Sequence, residues 1–146
     1  MEETLLNKLS GRIIGACIEV HKCMGPGLLE SVYRECLCQE LTIRNMSYKS
    51  EVPIPLTYKG VPCKTIYRAD LIVENTVIVE LKAVKELLPV FEAQVMSYLK
   101  LSNSQLGLLI NFNVPLLKDG VHRIRLNYGK LSNHDLDNLL MESAKE

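Results

Sequence analysis

The sequence carries no excess charge of either sign: its 146 residues include 17 lysines and arginines against 17 aspartates and glutamates. Non-specific attachment to nucleic acid is driven by phosphate neutralisation. A uniformly basic binding surface is therefore excluded, and any such contact must come from a local basic face, from metal ions or from a partner protein. No apolar run reaches the roughly 18 residues of a membrane-spanning helix, so no membrane partner is expected. The opening Met1-Glu2-Glu3-Thr4 is acidic and leads into an amphipathic stretch, unlike the basic start of a secretory signal. The five cysteines, Cys17, Cys23, Cys36, Cys38 and Cys63, show neither a CxxC pair nor paired Cys/His spacing. That argues against a zinc site and for reduced, structural thiols in a cytoplasmic protein. Repeats, low-complexity segments, linkers and a P-loop are all missing.

What is there is enough chain for one domain with its own core, read as residues 1–146 with a core over about 9–126 and a tail over 127–146. Leu6, Leu9, Ile13, Cys17 and Val20 recur at three and four, which predicts an amphipathic helix from about Glu3 to Cys23. Gly25-Pro26-Gly27 ends it. A second helix is predicted from about Leu28 to Arg44, with Leu29, Val32, Tyr33, Cys36, Leu37 and Leu41 on one face.

The period then changes to two. Val52, Ile54, Leu56 and Tyr58 alternate with Glu51, Pro53, Pro55 and Thr57, a half-buried strand that its two prolines place at a sheet edge. Turns at Lys59-Gly60 and Glu74-Asn75 bracket a strand from about Lys64 to Val73, and another follows from Thr76 to Val84, giving an antiparallel meander. After Leu88-Pro89, a helix is marked by Phe91, Val95, Tyr98 and Leu99. The apolar run Leu106-Gly107-Leu108-Leu109-Ile110 reads as a strand covered on both faces and parallel to the preceding one. A turn at Lys118-Asp119-Gly120 leads into a short strand, Val121 to Leu126, and Leu136, Leu139 and Leu140 suggest a last short helix from Ser132. The fold class is α/β: a central mixed sheet, meander plus parallel strand, flanked by helices.

On a strand, residues two apart share a face, so Glu80 and Lys82 point one way while Val79, Leu81 and Ala83 point the other. With the turn centred on Asn75, Asp70 lies opposite Glu80. Like charges so placed repel unless a cation sits between them. Oxygen-only ligands suit Mg²⁺ or Mn²⁺, and a lysine one strand position along can orient or help deprotonate a water. Taken alone, however, D-x9-E-x-K reads more simply as a solvated strand face, and a one-residue slip would turn Asp70 away.

Two further motifs bear on this. Gly27-Leu28-Leu29-Glu30-Ser31-Val32-Tyr33 spells GxxExxY, and Gln94-Val95-Met96-Ser97-Tyr98 spells QxxxY on the helix after the ExK strand. With Asp70, Glu80 and Lys82 between them, the chain resembles the GxxExxY family of small PD-(D/E)XK-like proteins, and ExK followed by QxxxY resembles the RecB-type nuclease signature. The resemblance extends over roughly Leu9 to Leu126. It implies a restriction-endonuclease-like core and a Mg²⁺- (or Mn²⁺-) dependent nuclease acting on nucleic acid, DNA rather than RNA. Glu30, Asp70, Glu80 and the Leu81 carbonyl would then be metal ligands, Lys82 the catalytic lysine, and Gln94 and Tyr98 the substrate-side pair. A second copy or a protein partner would help so small a core grip a duplex.

Rival readings stand beside each assignment. Glu30 can pair with Arg34 one turn on, or simply favour the positive end of its helix. Tyr33 and Tyr98 can be core residues with hydroxyls satisfied at the rim, His21 a buried hydrogen-bonded histidine, and His122 and His134 surface residues. The alternative function is a catalytically silent nuclease-fold binding or regulatory module acting through a protein partner. A third is a metal-stabilised structural domain.

Overall fold

The first helix follows directly from its apolar spacing. In the computed structural model, which describes residues 2–126, α1 (Glu3–Met24) buries Leu6, Leu9, Ile13, Cys17 and Val20, the predicted stripe. Gly25 closes it at φ 69, a left-handed conformation that costs glycine little. In α2 (Glu30–Ile43) the buried face is Tyr33, Leu37 and Leu41. Leu29, expected on that face, is exposed, because it sits in extended backbone one residue before the helix.

The strands are β1 (Tyr48–Ile54), β2 (Thr57–Tyr58), β3 (Val61–Pro62), β4 (Tyr67–Val73) and β5 (Val77–Lys82). They are followed by α3 (Pro89–Ser102), β6 (Leu106–Asn111), a 3₁₀ turn (Leu117–Gly120) and β7 (Val121–Arg125). Five of them form one sheet in the order β1-β4-β5-β6-β7. The meander β1-β4-β5 is antiparallel, β5 and β6 are parallel across α3, and β7 returns antiparallel to β6. The predicted edge strand does lie at the edge, but it begins earlier and ends at Ile54. Residues 57–62 leave the sheet as a separate hairpin, β2-β3, since Pro55 lacks the N–H that would continue the ladder. The strand expected from Lys64 starts only at Tyr67. The helix predicted from Ser132 lies outside the described residues.

The sheet separates two apolar layers. On one face, α1 and α2 pack over Leu71, Val73, Val77, Val79, Leu81, Leu106, Leu108 and Ile110. On the other, α3 packs over Ala69, Ile78, Leu109 and Ile124. Every residue of β6 is buried, alternate side chains feeding each layer, which is why it reads as a continuous apolar run.

One irregularity positions everything that follows. Ala69 and Leu71 are two apart yet pack into opposite layers, and on the partner strand Tyr48 and Ile54 also face opposite layers. The switch falls between the pairs Ser50↔Leu71 and Val52↔Ala69, where Glu51 has φ 50. A left-handed conformation at a non-glycine strand residue costs about 1–3 kcal/mol.

α3 is seated through Gly107, where an added Cβ would lie 2.6 Å from Val95 Cγ1. Gly107→Ala is expected to lower stability by about 1–3 kcal/mol, read as a lower urea midpoint with unchanged slope. A wild-type midpoint would show that the helix can shift without cost.

Candidate active site

The β4-β5 hairpin brings the two central carboxylates together. Glu74 and Asn75 both adopt positive φ in the turn, and the ladder pairs Val73↔Val77, Ile72↔Ile78 and Leu71↔Val79. Its extension puts Asp70 opposite Glu80, the predicted register. Here side chains replace the backbone ladder. The Asp70 amide donates to Glu80 Oε1 at 2.8 Å, and the Leu81 amide donates to Asp70 Oδ2 at 2.8 Å. Each carboxylate thus substitutes for a carbonyl acceptor on the facing strand. On a strand, a residue's N–H and C=O face the same neighbour, so the Leu81 carbonyl is also directed toward the acid pair.

Burial and mutual repulsion dominate the electrostatics. Glu80 is 5% exposed, and burial, then the Asp70 charge, push its carboxyl up to about 8. Burial also raises Asp70, opposed by the Leu81 amide and by the charges of Arg34 and Lys82. Glu30 is raised by burial and then by Asp70. Glu30, Asp70, Glu80 and Lys82 all lie within Coulombic reach of one another, so the structure gathers the four residues singled out above around one spot.

Their arrangement has two further features. Among the described residues, no three His, Cys, Asp or Glu side chains are close enough together to hold an ion. Glu30 is nevertheless within Coulombic reach of Asp70, Glu80 and Lys82. As the first residue of α2, it sits at the positive end of the helix dipole, while the neighbouring acids repel it. Nor does Arg34 pair with Glu30. It reaches across to Asp70 Oδ1 at 3.7 Å and to Glu51 at 3.5 Å. Glu51 was not foreseen as a neighbour of the site, because its φ cannot be read from a residue type that rarely adopts it.

Lys82 shares its face with Glu80 and places Nζ 4.5 Å from the centroid of the Phe91 ring at the start of α3, a contact that steadies the ammonium. The loop leaving β5 is held by Asn111, whose side chain accepts from the Val84 amide at 3.0 Å and donates to the Val84 carbonyl at 2.9 Å. This role too was missed, for an asparagine ending an apolar strand carries no mark of it. Gln94 and Tyr98 meet on α3, the amide donating to the phenol oxygen at 2.9 Å, and both line a cavity with Tyr67 and Phe91. Tyr98 is buried, and its hydroxyl pKa is raised by burial and then by the Glu80 charge.

Tyr33 is core: it stacks on Phe112 with centroids 4.5 Å apart, and its hydroxyl donates to the Gly25 carbonyl and accepts from the Leu28 amide. It thereby ties down the turn that presents Glu30. His21 is buried and bonded to the Val114 carbonyl at 2.8 Å, and His122 bonds Glu92 near the surface. The cysteines among the described residues are free thiols.

A mixed five-stranded sheet between helices, with an acid pair on its meander and a lysine two residues on, is a restriction-endonuclease-like arrangement. The chain belongs to the PD-(D/E)XK nuclease superfamily, whose sequence profile matches residues 7–124. Proteins of this superfamily generally use divalent metals, and nucleic acid is the substrate class it implies. No curated protein matches the chain. A solved structure described as "Crystal structure of SSO0001" is similar at 20% identity and a TM-score of 0.46, over 79% of this chain and 57% of that one. This chain thus spans less than two thirds of that protein's length. The donor chemistry here fits a hard divalent cation: two facing carboxylates and a carbonyl, all oxygen, with the acids raised by burial and repulsion that a cation would relieve.

Proposed function

We propose that this chain is a Mg²⁺- or Mn²⁺-dependent nuclease of the GxxExxY type, hydrolysing phosphodiester bonds in nucleic acid, with DNA preferred over RNA. The observation that carries the reading is the Asp70–Glu80 pair interlocked across the hairpin with Lys82 on the same face. Asp70, Glu80 and the Leu81 carbonyl would hold the ion, with Glu30 completing its surroundings. A divalent ion there supplies Lewis-acid stabilisation of the charge that develops on a phosphoryl oxygen. Lys82 orients the attacking water and shares its proton, and Gln94 and Tyr98 line the substrate side. The balanced charge of the chain favours a second reading, a silent binding module that works through a protein partner.

The deciding experiment is cleavage of a panel of single- and double-stranded DNA and RNA in Mg²⁺, Mn²⁺ or EDTA, with Asp70→Asn in parallel. Asparagine retains an oxygen for the Leu81 amide, so the fold should survive. Metal-dependent cleavage lost in the variant is expected. No cleavage of any substrate by folded wild type would favour the silent module.

A further inference from the structure

We propose that Cys23 and Cys36 are a redox-responsive pair, closed by an oxidant of the peroxide class into a disulfide that staples the end of α1 to α2. The bridge needs neither the acid pair nor turnover.

Both thiols line one cavity. It encloses about 300 Å³ between the two helices, with Glu19, Cys23 and Met24 on the α1 side and Glu35, Cys36 and Glu40 on the α2 side. α1 turns back into α2 through residues 25–29, and helices joined by so short a turn run antiparallel. Counting outward from that turn sets Met24 against Glu35, Cys23 against Cys36 and Glu19 against Glu40. Helices in contact have axes about 8–10 Å apart, and their Cα atoms stand about 2.3 Å off the axis. Facing positions therefore fall within the roughly 7 Å that a disulfide allows. The other cysteines do not share the cavity. Cys17 is fully buried in the core, and Cys63 follows the β2-β3 hairpin. Cys38 lies two positions beyond Cys36, about 200° around the helix, near Tyr48 and Arg34.

Exposure and charge divide the roles. Cys23 is exposed and Cys36 half-buried, so a small oxidant meets Cys23 first. Cys23 Sγ donates to Glu19 Oε1 at 3.5 Å, and this hydrogen bond is the main cause that raises its thiol above the ordinary pKa. The same carboxylate is placed to take the proton as the sulfur attacks. The sulfur bonds to one peroxide oxygen, the O–O bond breaks, water leaves, and Cys23 becomes a sulfenic acid. Cys36 then attacks that sulfur. The S–S bond forms, the S–O bond breaks, and the departing hydroxide takes the Cys36 proton as a second water. Two thiols lose two electrons and two protons, and one peroxide is reduced to two waters. The carboxylates around the cavity, Glu19, Glu35 and Glu40, repel an anionic small thiol, which favours closure onto Cys36 over a mixed disulfide. Among the described residues, no third ligand stands close enough to make the pair a metal site. The ring closed by the bridge spans residues 23–36 and contains the Gly25-Pro26-Gly27 turn and Glu30, so it removes freedom from the segment that presents Glu30.

The test treats the reduced full chain with a slight excess of hydrogen peroxide in EDTA, then maps its peptides without reduction. The expected map joins the Cys23 peptide to the Cys36 peptide, in a monomer lighter by two hydrogens. Melting is expected to rise by roughly 10 °C, and dithiothreitol to reverse the rise. Cys23→Ser and Cys36→Ser should each abolish the shift, and Cys38→Ser should keep it. The wild-type map decides the pairing even where a variant fails to fold. Sulfenic or sulfinic acid at Cys23 with no link to Cys36, a link to any other cysteine or between chains, or all thiols still free would overturn the proposal. A Cys23–Cys36 bridge that leaves melting unchanged would overturn the staple.

Discussion

Replacing Lys82 with alanine is expected to slow metal-dependent cleavage by about a hundred- to ten-thousand-fold, with thermal unfolding close to that of the wild type. The loss is expected because Lys82 is the cation that shares a strand face with Glu80 and stands within reach of Asp70 and Glu30. No carboxylate can position the attacking water and at the same time oppose the negative charge of the attacked phosphate. Folding should survive because the lysine is only partly buried, and its interaction with Phe91 contributes about 0.5–1 kcal/mol at such a site. This makes Lys82 a cleaner probe than Asp70→Ala, which would leave the Leu81 amide without its acceptor at a cost of about 1–3 kcal/mol. Lys82→Arg keeps the charge but not the compact, titratable ammonium, and should restore binding more than turnover. Turnover by Lys82→Ala within a few-fold of wild type would remove the lysine from the mechanism.

Glu80→Gln is expected to be more stable than the wild type in alkaline, metal-free buffer while losing cleavage. Burial and Asp70 raise the Glu80 carboxyl from 4.5 to about 8. The folded protein therefore holds a proton that the unfolded chain releases between those values. This group's contribution to stability is fully present below about 4.5 and is lost as pH rises toward and through 8. Glutamine keeps an oxygen for the Asp70 amide and never ionises, so the variant's stability relative to wild type should grow as pH rises from 5 to 9. Urea unfolding at pH 5 and pH 9 in EDTA measures it, and parallel declines for both proteins would refute it. The same proton must leave before the carboxylate can ligate an ion. Wild-type Mg²⁺ affinity should therefore rise with pH up to about 8 and release protons, both visible by calorimetry in buffers of different ionisation enthalpy.

Much of this was legible along the chain because it depends only on local periodicity. The spacing of Leu6, Leu9, Ile13, Cys17 and Val20 requires a helix, and the alternation through Val79, Glu80, Leu81 and Lys82 assigns the acid and the lysine to one face. The unbroken run at Leu106–Ile110 announces a strand covered on both sides. A turn centred on Asn75 then places Asp70 across from Glu80 by counting alone. Other features have no local cause. The reversal of faces at Glu51 and Asp70 arises from a left-handed residue held by pairing on both sides, in a position where glycine would have been the readable sign. Arg34 had Glu30 one turn away but reaches Asp70 and Glu51 instead, because packing α2 on the sheet brings those acids to its guanidinium. The support of Lys82 by Phe91, the hold of Asn111 on Val84 and the ring-lined cavity between β4 and α3 likewise join residues far apart in the chain. By itself, then, the sequence determined which residues share a face and which elements they form, since periodicity within one element decides both. Only the tertiary structure decided which charges meet and what stands beside the lysine, because those contacts depend on how separate elements pack.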